Sequence, residues 1–229
     1  MKSNMLLPGT GILITSMQVL PEEDTDFNVW FDKEHLPERV EISGFLDGRR
    51  YESTNGSGRY LQIYNTVDAA VLNSAAYHKV LDNQTAWSKH HIPRFIRPTR
   101  VVGQLVESRG YARGAAVTLI RLRPTPGARM LPALHGFLGL LDQAGVTSVH
   151  FVEGDAELSK PLMTNVPYVG SEDSYIIVET SSIADGEKIG EGISEHVATQ
   201  SALSLSAYGE LIDVATYRYR LDISAPVRS

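Results

Sequence analysis

The sequence predicts an α+β protein in which two diverged copies of a β-α-β-β-α-β unit pack their antiparallel sheets into one α/β barrel. Short apolar runs rich in β-branched residues alternate with segments of helical periodicity, and the order of these segments is the same in residues 1–112 and 113–229. We take these two ranges as the two halves of the protein. A hydrophobic content of 42% over 229 residues is enough for a large core. Because helices cover only one face of each predicted sheet, packing the two bare faces together buries both.

The first half opens with a strand over residues 11–20, a β-branched run that stops before Pro21. Apolar and aromatic residues at spacings of three and four then predict a helix, which Pro37 ends or kinks. The buried face of this helix consists of Phe27, Trp30, Phe31, His35 and Leu36. The other elements of this half are predicted as strands over 45–53 and 59–67, a helix over 68–81, a shorter helical piece up to residue 92, and a strand over 99–107.

The second half follows the same order of elements. Gly145 opens a strand as Gly44 does in the first half, and we match Tyr175 with Tyr60 in the strand that comes next. The elements of this half are predicted as a strand over 115–123, a helix over 130–143, strands over 146–154 and 174–180, a helix over 183–200, and a strand over 210–220.

Composition excludes several classes of function. The chain has no cysteine, which excludes disulfides, a thiol nucleophile and thiolate-bound metals. The net charge is −6 and the basic residues form no clustered face, so we expect no binding to nucleic acid. No apolar run is long enough to cross a membrane and the start lacks a secretory leader, so a cytoplasmic location is expected. The standard motifs for nucleotides, serine hydrolases and zinc proteases do not occur.

One segment resembles a known family. The run Trp-Phe-Asp-Lys-Glu-His-Leu-Pro at residues 30–37, followed by Gly44-Phe45 and by Arg-Arg-Tyr at 49–51, is similar to the dimeric α/β-barrel superfamily, and within it to EthD-like bacterial proteins. The run at 59–64 fits as well. The resemblance implies two ferredoxin-like halves fused in tandem, which replace the usual dimer. It also implies a pocket between sheet and helices for an aromatic or polycyclic compound.

Three residues are the candidate catalytic groups. His35 lies on the apolar side of the first predicted helix, where an imidazole can serve as general base or acid, or can simply brace the helix end before Pro37. Tyr64 can position a substrate oxygen from its strand. His91 shares a helix face with Trp87, where the two can form part of a pocket wall or lid or can simply lie exposed beside Pro93.

Five further residues are the candidate substrate-binding groups. Strand alternation places Tyr60, Gln62 and Tyr64 on one face, where they either bind an oxygen or only pack. Arg49 and Arg50 point to opposite faces, so only one of them enters a given pocket. No metal site is expected, because the neighbours His90 and His91 diverge around a helix and no third ligand is suitably spaced. The candidate substrate-binding residues are Trp30, Arg49, Tyr60, Gln62 and Trp87.

The sequence therefore predicts a cofactor-independent enzyme for a small, apolar, aromatic or polyketide-like compound, with His35 moving a proton. The reaction is left open between lyase or dehydratase, isomerase and monooxygenase, and the resemblance covers all of these. A non-catalytic binding protein is one alternative. A haem enzyme is another, for which His78, His91, His150 and His196 are conceivable axial ligands. Small-molecule substrate is the only partner predicted, and association of the fused pair into a homodimer is left open.

Overall fold

Eight antiparallel strands close into one barrel, as the sequence predicts. The computed structural model describes residues 6–162, 166–198 and 205–226. Around the barrel the strands follow the order β1-β3-β2-β8-β5-β7-β6-β4, and β4 returns to β1. The strands are β1 Gly11–Gln18, β2 Phe45–Ser53, β3 Arg59–Thr66, β4 Ile96–Gly110, β5 Ala116–Pro124, β6 Val146–Gly154, β7 Ser174–Thr180 and β8 Gly209–Ser224.

The two halves complete each other's sheets. Within the first half the order is β4-β1-β3-β2, and the second half repeats it as β8-β5-β7-β6. Strand β2 pairs with β8, and β4 pairs with β6, so each outer strand of one half meets an outer strand of the other. Barrel closure thus leaves none of the eight strands with a free edge, which removes the unpaired backbone groups that promote aggregation.

Hydrogen bonds at equivalent turns support the repeat. Gly44 and Gly145 both adopt a left-handed backbone, with φ of 96° and 83°, which a glycine adopts without strain. The carbonyl of Gly44 accepts from the Val67 N–H at 2.9 Å, and that of Gly145 accepts from the Ser181 N–H at 2.8 Å. The two turns therefore fix the same strand entry in both halves. The boundaries at residue 112 stay a prediction.

The helices pack outside the barrel. A continuous helical segment precedes β2, and it consists of α1 Asp24–Trp30, a π-helical turn Phe31–His35 and α2 Leu36–Val40. The others are α3 Ala75–Asp82, α4 Ala86–His91, α5 Met130–Leu134 and α6 Ile183–Ala198, with 3₁₀ turns at Ala69–Asn73, Ile92–Arg94, His135–Asp142 and Leu205–Ala207. Within the part of the chain that the structure describes, no helix is long and apolar enough to cross a membrane.

Pro37 neither ends nor sharply interrupts the first helical segment. Proline lacks an N–H and its ring clashes with the carbonyl four residues earlier. Here the turn before it widens, and the Leu36 N–H bonds to the Phe31 carbonyl five residues back. The helix then continues to Val40. Turns of this kind often occur at functional sites, and this one carries His35.

Two predicted helices are divided in the structure. The helix predicted over 68–81 is a 3₁₀ turn capped by Asp68 and then α3, capped by Ser74, whose hydroxyl accepts from the Tyr77 N–H at 3.2 Å. The helix predicted over 130–143 is α5 followed by the 3₁₀ segment. Gly136 and Gly139 weaken the α-helix in that segment, because glycine has low helix propensity.

Three apolar clusters make up the core. One fills the barrel, one lies between the first-half sheet and its helices, and one lies in the equivalent layer of the second half. Tyr60 belongs to the first-half layer, whereas Tyr175 points into the barrel. The match of these two tyrosines was therefore wrong by one residue: Leu61, which shares the barrel cluster, is the counterpart of Tyr175.

Candidate functional site

A cavity opens between the first-half sheet and its helices. It contains about 580 Å³ of empty space, part of it open to solvent. Strands β1, β3 and β4 form its floor, and the segment from Phe31 to Arg39 and helix α3 form its walls. Leu162 and Tyr168, from the connection between β6 and β7, extend the lining. The site thus includes residues of both halves. Its polar lining consists of Thr15, His35, Arg39, Tyr64, Tyr77, Arg100 and Tyr168.

His35 presents a nitrogen without a partner. Its ring packs against Trp30 and Phe31, at centroid distances of 4.5 and 4.8 Å. The residue is half-buried, and its Nδ1 atom is buried with no hydrogen-bond partner. Burial keeps the pKa of His35 well below its usual value, and the charges of Arg39 and Arg50 lower it further. The imidazole is therefore neutral near pH 7 and can accept a proton.

Tyr64 places a second unpartnered group in the same cavity. The side chain is 2% exposed, and its hydroxyl has no hydrogen-bond partner. Burial raises its pKa, so the phenol stays protonated and acts as a donor. The neighbouring Gly48 makes room for the ring, because a Cβ at that position would lie 2.9 Å from a carbon of Tyr64.

Gln62 and Arg100 continue the polar row across the sheet. Gln62 accepts a hydrogen bond from the Thr15 hydroxyl at 2.8 Å, which leaves its buried Nε2 atom unpartnered. Arg100 donates from Nη1 to the carbonyls of Leu158 at 2.7 Å and Lys160 at 3.3 Å, and its Nη2 atom is buried without a partner. Polar atoms buried without partners are uncommon in native proteins, and a ligand is one explanation for them.

The predicted binding residues on the helical side lie near this cavity but do not line it. Trp30 is buried and donates to Glu34 at 3.1 Å. Tyr60 donates to Asp24 at 2.6 Å. The Tyr60 bond joins the helical segment to the sheet, whereas the Trp30 bond lies within the segment. His35 and Tyr64 are the two predicted catalytic residues that the structure brings together.

His91 and Trp87 both bind Asp26. The Nε2 atom of His91 and the Nε1 atom of Trp87 each lie 2.9 Å from the Asp26 Oδ2 atom. His91 also lies with His90 and Glu23 in a group whose ligand atoms are within 4.8 Å of one another, close enough for a metal ion. The Arg94 guanidinium competes for Glu23, at 3.7 Å. The absence of a metal stays a prediction.

Arg49 points into the barrel and so does not line the cavity. It donates to Glu179 at 2.8 Å and to Asn65 at 3.1 Å, which joins the two halves by a buried ion pair. Arg50 points the other way, pairs with Asp32 and lies over the Phe31 ring, 4.6 Å from its centroid.

Of the histidines considered for haem, His78, His91 and His150 do not line this cavity. His78 is bound to Asn73 at 2.9 Å in an exposed position, and His91 is bound to Asp26. His150 lies inside the barrel, with Ser108 2.8 Å from Nδ1 and Ser148 2.9 Å from Nε2. The side chain of His196 lies outside the described residues. We derive no reaction step through haem.

Sequence reasoning missed Arg39, Arg100 and Tyr168. Arg100 lay within a predicted strand, and alternation was a usable signal, since it shares a face with Val102 of the helix-side cluster. The approach of Tyr168 from the second half had no local signal, because the connection between β6 and β7 is irregular.

The comparisons with known proteins show the fold. No family model matches the sequence, and no curated protein matches it. An anthrone oxidase-like protein has a TM-score of 0.69 at 11% identity, over 96% of this chain and 95% of that one. A proposed chlorite dismutase gives 0.54 at 10% identity, over 93% and 96%. A proposed monooxygenase from Fusobacterium nucleatum gives 0.52 at 7% identity, over 96% of both chains. The chain therefore has, along nearly its full length, the tandem ferredoxin-like barrel of these proteins.

Proposed function

We propose that this chain is a cofactor-independent oxygenase that removes a proton from a small fused-ring phenol or ketone and passes the resulting enolate to dioxygen. The observation that supports this most is that one largely apolar cavity contains both the His35 Nδ1 atom and the Tyr64 hydroxyl, two buried groups without hydrogen-bond partners. An apolar cavity with a few unpartnered polar groups suits an aromatic compound with one or two oxygens.

Each residue has a role in the proton transfer. His35 accepts the proton from a ring CH₂ whose anion is conjugated with a carbonyl across the ring. The Tyr64 hydroxyl donates to the carbonyl oxygen, and the Arg39 guanidinium supplies positive charge to the enolate that forms. This support matters because the low pKa of His35 makes it a weak base. Stabilising the enolate lowers the pKa of the substrate CH₂ group, so that a weak base can remove its proton.

Dioxygen is the second substrate. The enolate carbon reduces it to a bound hydroperoxide, which takes back the proton and loses water, so that the CH₂ group becomes a carbonyl and one dioxygen yields one water. Resemblance in fold to an anthrone oxidase-like protein and to proposed monooxygenases favours this outcome over a lyase or isomerase. Fold alone does not fix the chemistry, so the reaction needs a direct test.

Dioxygen uptake with a hydroxyanthrone tests the proposal. We expect one dioxygen consumed for each carbonyl formed, above the rate without protein. His35→Ala should lower the rate by about 10²- to 10⁴-fold. His135→Ala is the matched control, because this exposed histidine lies outside the cavity in the second half. Full activity of His35→Ala contradicts the proposal. Product formation at the same rate under argon contradicts the oxygenase and favours a lyase or isomerase.

A binding protein is the second candidate. The lowered pKa of His35 favours it, because a weak base serves well as a hydrogen-bond acceptor for a bound phenol. Tight binding of a hydroxyanthrone with no turnover in air is the result that distinguishes this candidate.

A further inference from the structure

We infer that the substrate carries a carboxylate group. Arg100 binds this group at the end of the cavity away from the reacting carbon. This inference rests on the proposed function, because it concerns a ligand of the same cavity. Arg100 lines the cavity and is 5% exposed.

The charge of Arg100 is the exception among the buried arginines. Arg49 pairs with Glu179 at 2.8 Å, Arg39 pairs with Glu38 at 3.0 Å, and Arg50 pairs with Asp32. Among the residues that the structure describes, no carboxylate lies within 4.0 Å of the Arg100 guanidinium. Its partners are two neutral backbone carbonyls. A buried cation without a counterion is costly, so an anion is expected to complete the site.

The orientation of Arg100 suits a carboxylate. The carbonyls of Leu158 and Lys160 hold Nη1, whereas Nη2 is left without a partner. A guanidinium fixed in this way presents a planar donor that matches a carboxylate oxygen, which forms stronger hydrogen bonds than a neutral acceptor. Among the described residues, no aspartate or glutamate lines the cavity, so no carboxylate side chain there repels an anion.

Arg100 is also separate from the reacting groups. It lies opposite Thr15, which in turn lies opposite Gln62, whereas Tyr64 is opposite Leu13. Neighbouring strands are about 4.8 Å apart, so two strand spacings place the backbones of Arg100 and β3 about 10 Å apart. The arginines whose charges act on His35 are Arg39 and Arg50. The inferred ligand therefore places its reacting carbon near His35 and its carboxylate near Arg100, about two strands apart.

Calorimetric titration with two matched ligands tests this inference. Anthraquinone-2-carboxylate and its neutral carboxamide have nearly the same shape and differ in charge. The wild-type protein should bind the carboxylate about 10- to 100-fold more tightly, as expected for a charge-assisted hydrogen bond. Arg100→Gln should reduce that preference to less than about 3-fold. Arg109→Gln is the control, because it removes a half-exposed arginine from the same strand, outside the cavity.

Further arms separate the alternatives. Arg100→Lys keeps the charge and should retain part of the preference, and circular dichroism checks that each variant is folded. Equal affinity of the wild type for both ligands overturns the inference, as does an equal loss for both ligands in Arg100→Gln. If Arg100→Gln lowers kcat equally on hydroxyanthrones with and without a carboxylate, Arg100 serves the enolate instead, and the inference is also overturned.

Failure of the proposed function can be distinguished from failure of the carboxylate site. Preference for the carboxylate without any dioxygen uptake leaves the anion site in place and removes the oxygenase. Dioxygen uptake by a protein that binds both ligands equally well removes the anion site and leaves the oxygenase in place.

Discussion

The two sheet-helix layers differ at equivalent positions on the same strands. In the first half, Thr15 lies opposite Gln62 and Arg100. At the same register in the second half, Ile120 lies opposite Ile176 and Val214. The change continues along the sheet, where Tyr64 and Arg50 correspond to Val178 and Phe151. Both layers have apolar clusters, but the first carries a polar row beside a cavity, and at the equivalent positions the second has aliphatic and aromatic side chains.

The fold therefore does not require the polar row of Thr15, Gln62 and Arg100. The second layer closes the same architecture with apolar contacts, and its Tyr208 hydroxyl is bound to Ser174 at 2.9 Å. In the first layer the buried Tyr64, Gln62 and Arg100 each keep an unpartnered atom. Since such groups lower stability, we attribute their presence to ligand binding.

The largest expected effect lies in the barrel, where the halves are most alike. Glu179 and Asn65 occupy equivalent strand positions and both bind Arg49. Glu179→Ala leaves Arg49 as an uncompensated buried charge and should lower the free energy of unfolding by about 3–5 kcal/mol. Asn65→Ala should cost about 1–2 kcal/mol, because the ion pair remains. Urea denaturation measures both, with the exposed Glu187→Ala as control. Equal losses of unfolding free energy in Glu179→Ala and Asn65→Ala would contradict the greater importance of the ion pair.

Replacing polar residues of the first layer by their counterparts from the second layer should weaken ligand binding in the cavity. The double variant Thr15→Ile, Gln62→Ile copies Ile120 and Ile176 and removes both partners of one hydrogen bond together. We expect unchanged or higher stability, because no partner is left unpaired. Hydroxyanthrone affinity should fall by about 10- to 30-fold, equivalent to roughly 1–2 kcal/mol. Thermal unfolding and calorimetric titration test this, and retained affinity contradicts the assigned cavity.

Lowering the pH should destabilise the first layer through protonation of His35. Because folding lowers the pKa of His35, the stability from its neutral form is fully present above its ordinary pKa of 6.5 and is lost as the pH falls. As the pH falls below 6.5, the wild type should therefore lose more stability than His35→Ala. His135→Ala, exposed in the second half, should follow the wild type. If the free energy of unfolding depends on pH in the same way for His35→Ala and the wild type, His35 is not the group responsible.

The smallest expected effect is on the free energy of unfolding when the hydroxyl of Tyr208 or of Tyr64 is removed. Tyr208→Phe removes a satisfied hydroxyl and should cost about 1 kcal/mol. Tyr64→Phe removes an unpartnered one, so its free energy of unfolding should stay equal or rise, while turnover falls. Chemical denaturation gives the first comparison and dioxygen uptake the second. A similar loss of stability in both variants would mean that Tyr64 has a protein partner.

Local patterns were sufficient for the fold and for part of the site. Apolar alternation predicted the strands, and the spacing around Trp30 predicted the helix that carries His35. The same alternation put Tyr64 on one face with Tyr60 and Gln62, and the structure shows that this face is the helix side of the sheet. These features depend on nearest neighbours in the sequence, so they can be predicted without knowing the tertiary structure.

The remaining features depend on long-range contacts. The pairing of Arg100 with Thr15 requires the strand register, which is set by barrel closure. Glu23 approaches His90 from 67 residues away, which no spacing rule detects. The π-helical turn before Pro37 arises where the helix packs against the sheet. For similar reasons, Trp87 and His91 were expected in a pocket wall but are bound to Asp26 instead.

The pairing of β2 with β8 and of β4 with β6 has a genetic consequence. In a barrel assembled from two identical chains, every substitution enters twice, so a cavity that weakens one layer also weakens the other. In this chain the two layers are encoded by separate codons. A destabilising polar residue such as Tyr64 is therefore carried once, and the apolar layer around Val178 is free to compensate for it.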